Sequence, residues 1–406
     1  MFVNLHVHSA QGSLLDSILT IEQIVKYAVD NKQPAIAISD HGTMHGFVDQ
    51  VELCNKNGIK PIVACEIYEV DNYLEKQDTK DYKQPRYHLL LIVKNQQGLK
   101  NLFKIVSEAA TTGFYMKPRI SIPWIKENNL GEGIICLTAC QAGRLSRYLE
   151  DGKYDDAEAF LKLLQDTFDY VACEIQSHPT TQQLTCNTSI FKFAQYMHMP
   201  YVITTDAHML STEQLDTHSI FVQIGEGREA GEAYIGCHLQ NEKDVYQYLG
   251  GWNLDRIVQQ GIDETVKIAN MIDDNIDYGL GHGSITPVVD VPEDFPSHED
   301  YLHHLVFQTF KEKFGWMSKE DQEIRRERLE RELPVINALD YTDYFIMLYM
   351  IAKEADKRQL PRGYSRGSGA NCLCLFMLNV TQIDSVRWDL DFSRFANMGR
   401  IGSLAD

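Results

Sequence analysis

The opening stretch MFVNLHVHS puts His6 and His8 two positions apart in a short apolar run. Alternate side chains of an extended segment share a face, so these two imidazoles can grip one metal ion. Taken alone, an H-x-H pair is as well explained by packing. Its company changes that. Asp16 lies in the loop that follows, a second apolar run leads into Asp40-His41-Gly42, a third carries Glu66 and a fourth carries His88. A fifth ends at Cys140, a sixth carries Glu174 and leads to His178, and a seventh runs into Asp206-Ala207-His208. Reactive groups of α/β barrels gather where strands end, so His, Asp, Glu and Cys recurring at successive strands predict a multinuclear metal centre. Single members have plainer readings: Cys140 as a small buried apolar residue, Glu174 and His178 as surface polar groups. His45, His198, His218 and His238 show no partner pattern and read as surface or capping residues.

The positioning elements follow from periodicity. Strands are expected at 1–9, 34–39, 62–70, 87–93, 134–138, 170–175 and 201–205, seven in all. Thr20-Ile21-Glu22-Gln23 has the form of a capping box, with Ile21, Ile24, Val25 and Ala28 at helical spacing behind it. Phe47, Val51 and Cys54 mark a helix that stops at Asn57-Gly58, and further helices are expected at 99–110, 155–168 and 188–198. Such alternation implies a parallel sheet or an α/β barrel.

Composition bounds the rest. With 38 Lys+Arg against 57 Asp+Glu the net charge is −19, which excludes a general electrostatic attraction to nucleic acid. Contact with DNA must be local or aided by bound cations. Cys54, Cys65, Cys136, Cys372 and Cys374 sit in apolar runs and read as reduced thiols of a cytoplasmic protein. The longest apolar runs, such as 344–352, are far short of a membrane span, and a motif at residue 6 leaves no room for a signal peptide.

LHVHS (5–9), SLLD (13–16), AISDHGTMHG (37–46), CEIY (65–68), YHLLLIVKN (87–95), GFYMKPRI (113–120), LTACQAGRL (137–145) and TTDAH (204–208) together resemble the PHP domain of bacterial DNA polymerase III α subunits. The resemblance implies nine metal ligands: His6, His8, Asp16, His41, Glu66, His88, Cys140, Asp206 and His208. It assigns the catalytic work to His6, His8, Asp16, Asp206 and His208. Imidazole, carboxylate and one thiolate suit two or three divalent ions of zinc, manganese or iron, held roughly 3.5–4 Å apart and activating a water as nucleophile. The activity implied is a metal-dependent phosphoesterase, a proofreading 3′–5′ exonuclease on a DNA primer terminus. Lys117 and Arg119 are candidate phosphate contacts.

Beyond residue 209 the strand–helix rhythm fades. Residues 255–272 read as a helix, the Gly- and Pro-rich 279–297 as a linker, and 319–333 as a charged helix with a solvated face. Residues 328–360 resemble the first palm segment of the same polymerases, and RGSGANCL (366–373) their nucleotide loop. Arg366, Gly367 and Ser368 precede the apolar helix 372–378, whose backbone N–H groups could hold a triphosphate. Gly363-Tyr364-Ser365 stands where that family has Gly-Pro-Gly, and the paired catalytic aspartates expected after 394–397 are not in MGRIGSLAD. The expectation is therefore a distorted (β/α)7 PHP barrel over 1–278, a linker over 279–297 and an incomplete α+β palm segment over 298–406. Such a chain is not expected to polymerise DNA alone; a second polypeptide would complete the polymerase. The alternatives are a non-catalytic scaffold in a split polymerase and a free-standing phosphoesterase acting on a small phosphorylated substrate.

Overall fold

The computed structural model describes residues 1–76, 83–227, 231–250, 255–281 and 287–400. Two compact units, Met1–Leu280 and Gly281–Asp406, divide the chain. Part of the expected linker, 282–286, and most of MGRIGSLAD lie outside the described residues.

The first unit is an α/β fold around a curled sheet with strand order β1-β2-β3-β5-β6-β7 and β4 beside β2. The strands are β1 (Ala35–Ile38), β2 (Lys60–Glu69), β3 (Tyr87–Val93), β4 (Arg119–Ile120), β5 (Ile134–Leu137), β6 (Tyr170–Gln176) and β7 (Tyr201–Thr204). β1, β5 and β7 are buried at every position, as continuous apolar runs covered on both faces must be. Helices Ile21–Asp30 and Phe47–Asn57 form as expected, the first with its Thr20 capping box and the second ending at Gly58 in the left-handed conformation.

Three features differ from the sequence reading. The opening segment is not a regular strand: it bridges the two ends of the sheet with a few hydrogen bonds. Ala37 and Ser39 donate to the Asn4 and Val7 carbonyls on one side; on the other, His8 donates to Ala207 and Ala207 to His6. Next, the sheet is mixed, because β3 runs antiparallel to both β2 and β5. Finally, β4 is only two residues long, too short for periodicity to register.

In the second unit the described residues form helices alone, so only the helical part of the expected α+β segment is seen. The charged helix runs Lys319–Ala338, and one face of it is buried rather than solvated: Leu329, Leu333 and Ile336 enter the core while Arg325 pairs with Asp384. Val289 and Val291 also pack on this core. The apolar stretch at 372–378 buries within its own unit and needs no outside partner, and of 344–352 chiefly Met350 and Ile351 remain exposed. No helix among the described residues is long and apolar enough to cross a membrane.

Candidate metal centre

The sheet brings all nine expected ligands to one end. Because His6 and His8 alternate inward from the bridging segment, their Nε2 atoms lie 3.1 Å apart. Both rings are held by their other nitrogen. His6 Nδ1 donates to Glu174 Oε1 at 2.6 Å, and Thr204 Oγ1 donates to the same oxygen. His8 Nδ1 donates to Ser13 Oγ at 3.0 Å, while Ser13 gives its own proton to Asp40 at 2.8 Å. His208 Nδ1 donates to the Asp206 carbonyl at 2.7 Å. In each case the bonded Nδ1–H leaves Nε2 aimed inward as the nitrogen that can serve a metal, in place of any proton held there.

Carboxylates converge on the same points. Asp206 Oδ1 is 3.3 Å from His6 Nε2 and 3.1 Å from His8 Nε2. Glu66 lies between two groups of rings: Oε1 is 3.3 Å from His6 and 3.2 Å from His88, and Oε2 is 2.7 Å from His41 Nδ1. Asp16 Oδ2 sits 3.0 Å from His41 Nε2 and 3.4 Å from His208 Nε2. Cys140 Sγ is 3.6 Å from His88 Nδ1, presented by the loop after β5, where Gly143 turns back to the Cys140 carbonyl. Asp206 holds its place with φ +47°, a left-handed conformation that Asp tolerates better than most residues.

The donor set fits divalent cations. Among the described residues, neither oxygen of Glu66 receives a hydrogen bond, and neither do Asp206 Oδ1 and His41 Nδ1, although all are buried. Lone pairs at about hydrogen-bond distance repel unless a proton or a cation sits among them, and the carboxylates that draw a proton to His6 and His41 would draw a divalent cation to the same points. Their atoms form three overlapping groups: His6, His8 and Asp206; His41, Glu66 and His88; and His8, His41 and His208. The electrostatics show the same pull on positive charge. Burial pulls His6 down, yet Glu174, Asp206 and Glu66 outweigh it and hold the ring well above its ordinary value. Burial and the neighbouring His41 and His208 push His8 down to about 3, which keeps it a neutral ligand. Burial raises Glu66, but His88, His6 and His41 more than reverse that and hold it well below the carboxylate range.

Several side chains join the site that the sequence reading discounted or did not name. Glu174, read as a surface group, is fully buried as the partner of His6. Buried His178 donates from Nε2 to the Thr205 carbonyl at 2.8 Å. Likewise buried, His218 donates to the Asp16 carbonyl, and Tyr234 Oη donates to Asp16 Oδ1 at 2.6 Å. A charged Glu174 inside an apolar strand was a legible signal; the reach of Tyr234 across the chain was not. Tyr234→Phe is expected to lower divalent-metal affinity about tenfold, read by titration calorimetry, because the neighbour orienting a ligand carries that much. Unchanged affinity would show that Asp16 needs no such support.

Two expected phosphate sites change. Arg119 is buried and donates to the Gly113, Tyr73 and Glu75 carbonyls, so it braces a loop. In the second unit, Arg366, Gly367 and Ser368 are exposed, but the helix start behind them is already filled. Glu332 accepts from the Leu373 and Cys374 N–H groups at 3.1 and 2.9 Å and from Arg328 at 2.6 Å. The Leu373 and Cys374 N–H groups at that helix start are therefore capped from within the unit.

The PHP domain model matches residues 4–178, and the model for the bacterial DNA polymerase III alpha NTPase domain matches residues 300–405. DNA polymerase III subunit alpha of Borreliella burgdorferi is 31% identical over 98% of this chain, and that of Treponema pallidum 29% over 98%. In both cases the chain spans 34% of the relative's length. Among solved structures, a two-domain protein from Bacteroides vulgatus containing a predicted PHP-like metal-dependent phosphoesterase is similar at 13% identity, over 56% of each chain, with a TM-score of 0.30. The chain thus joins a PHP domain to a bacterial DNA polymerase III alpha NTPase domain and is a relative of the DNA polymerase III alpha subunits.

Proposed function

We propose that the first unit is a metal-dependent phosphoesterase that removes nucleotides from the 3′ end of a DNA strand, and that it serves a DNA polymerase III alpha-type replicative polymerase. The carrying observation is the face-to-face pair of Nε2 atoms on His6 and His8, 3.1 Å apart, with Asp206 Oδ1 and Glu66 closing on the same point. Two or three ions of zinc, manganese or iron held by His6, His8, Asp16, His41, Glu66, His88, Cys140, Asp206 and His208 would supply Lewis acidity toward phosphoryl oxygens and acidify water. The chain's own part is orientation. Glu174, the Ser13–Asp40 pair and the Asp206 carbonyl fix three rings, so no reorganisation is needed when the ester arrives. The carboxylates stay ionised across the physiological range, with Asp16 and Asp206 held well below their ordinary values against burial, mainly by His208 and by His6 respectively.

The partners this reading assigns are a DNA primer terminus and a second polypeptide that completes the polymerase. Manganese- or zinc-loaded protein, incubated with a 5′-labelled single strand and a mismatched primer-template, is expected to give stepwise 3′ shortening that His8→Ala and Asp206→Ala abolish. Metal binding without any cleavage would leave a scaffold instead.

A further inference from the structure

The metal centre opens into a cleft of about 1400 Å³ whose lining includes Phe114, Met116 and Lys117 as well as Arg86 and Arg147. That exceeds the roughly 300–1000 Å³ of pockets built for small molecules. We propose that the loop 113–118 is a landing platform for the last nucleotides of a single strand, with Phe114 stacking a base, Met116 packing against it and Lys117, Arg86 and Arg147 holding phosphates. This rests on the phosphoesterase reading and names how its substrate is held.

The loop is built to present these side chains. From below, the buried Arg119 guanidinium ties the Gly113, Tyr73 and Glu75 carbonyls together and lies 5.0 Å from the centre of the Tyr115 ring. Pro118 is seated on Gly42, where a Cβ would come within 2.5 Å of its Cγ, so the loop docks directly beside His41. Met116 takes φ +63°, a left-handed conformation that a long side chain adopts only when its surroundings impose it. On this base Phe114 is 52% and Met116 72% exposed. An exposed aromatic ring on a fixed scaffold is what base stacking uses.

Charge points the same way. With net −19 and Asp16 and Asp206 in its lining, the cleft repels a phosphate backbone unless cations flank the path. Arg86, Lys117 and Arg147 are exposed cations in its lining, and Lys117 Nζ lies 5.4 Å from the Tyr68 ring centre, toward the metal centre.

Fluorescence anisotropy of 5′-fluorescein-labelled oligo-dT with the full chain, calcium replacing the reactive metal, tests this. The Phe114→Ala/Met116→Ala double variant is expected to bind about tenfold or more weakly. Lys117→Ala is expected to reduce the slope of log affinity against log salt by about 0.7, the share of one phosphate on a single strand. All these side chains are exposed, so the fold is not at stake. Wild-type affinity and slope in both variants would overturn the platform. Weakened binding by variants of a protein that cleaves no DNA would uphold the platform and sink the exonuclease reading instead.

Discussion

Glu66→Gln is expected to lower phosphoester hydrolysis by about 10³-fold or more and to remove at least one bound divalent ion per chain. The reason is position. Its two oxygens face different groups of rings, Oε1 toward His6 and His88 and Oε2 toward His41, so one carboxylate serves two parts of the centre. Glutamine keeps the shape but puts an amide where a negative charge met four imidazoles, since His8 also lies 3.6 Å from Oε2. Metal-derived charge stabilisation contributes several kcal/mol to a phosphoryl transition state, and each 1.36 kcal/mol is a factor of ten in rate, which gives the expected loss. Steady-state rates on a 5′-labelled strand, with metal content measured on the same preparation, check it. A variant that keeps its ions and its rate would place the bridging role elsewhere.

Arg144→Leu is expected to cost about 3–5 kcal/mol of stability, the usual result of stranding one member of a buried ion pair. Arg144 grips Glu69 with both arms of its fork, at 2.7 and 2.9 Å, and its face lies 4.3 Å from the Tyr87 ring centre. Both residues are buried. Their pairing fastens the helix start that follows the Cys140 loop to β2, the strand that carries Glu66. Burial pushes the Glu69 carboxyl up to about 7, with Arg144 offsetting part of that. A carboxyl whose folded value lies above its unfolded one loses stability as pH rises between the two. In the wild type that loss runs from about 4.5 to 7 and stops. Without Arg144 the folded value climbs further, so the deficit widens above pH 7 by up to about 1.4 kcal/mol per pH unit. Urea unfolding of both proteins at several pH values measures it. The double variant Glu69→Leu/Arg144→Leu is expected to recover most of the loss, because no uncompensated charge remains. A deficit that stays flat with pH would show that Glu69 is not the stranded group.

The parts of this molecule that the sequence made legible share a physical reason. Continuous apolar runs such as 134–137 and 201–204 mark strands covered on both faces, and metal-capable residues at their ends mark the rim. Side-chain alternation placed His6 and His8 on one face, and their 3.1 Å approach bears that out. Strand direction is not in the periodicity, so the antiparallel β3 was not foreseen. Nor does local pattern carry long-range partners: Tyr234 and His218 reach Asp16 across about half of the chain. Charge type alone misled at Arg119, which reads as a phosphate contact but spends its donors on backbone carbonyls. The same holds at 372–378, where a glycine-rich loop before an apolar helix suggests an anion site and a buried carboxylate, Glu332, already occupies the helix start.

Crystals of the full chain grown with manganese and measured at its absorption edge would show where ions bind. Two or three anomalous peaks are expected, each within roughly 2.0–2.3 Å of ligand atoms from His6, His8, Asp16, His41, Glu66, His88, Cys140, Asp206 or His208. Peaks confined to surface carboxylates, with the His6–His8 pair bridged only by protons or water, would contradict a metal centre in this cleft.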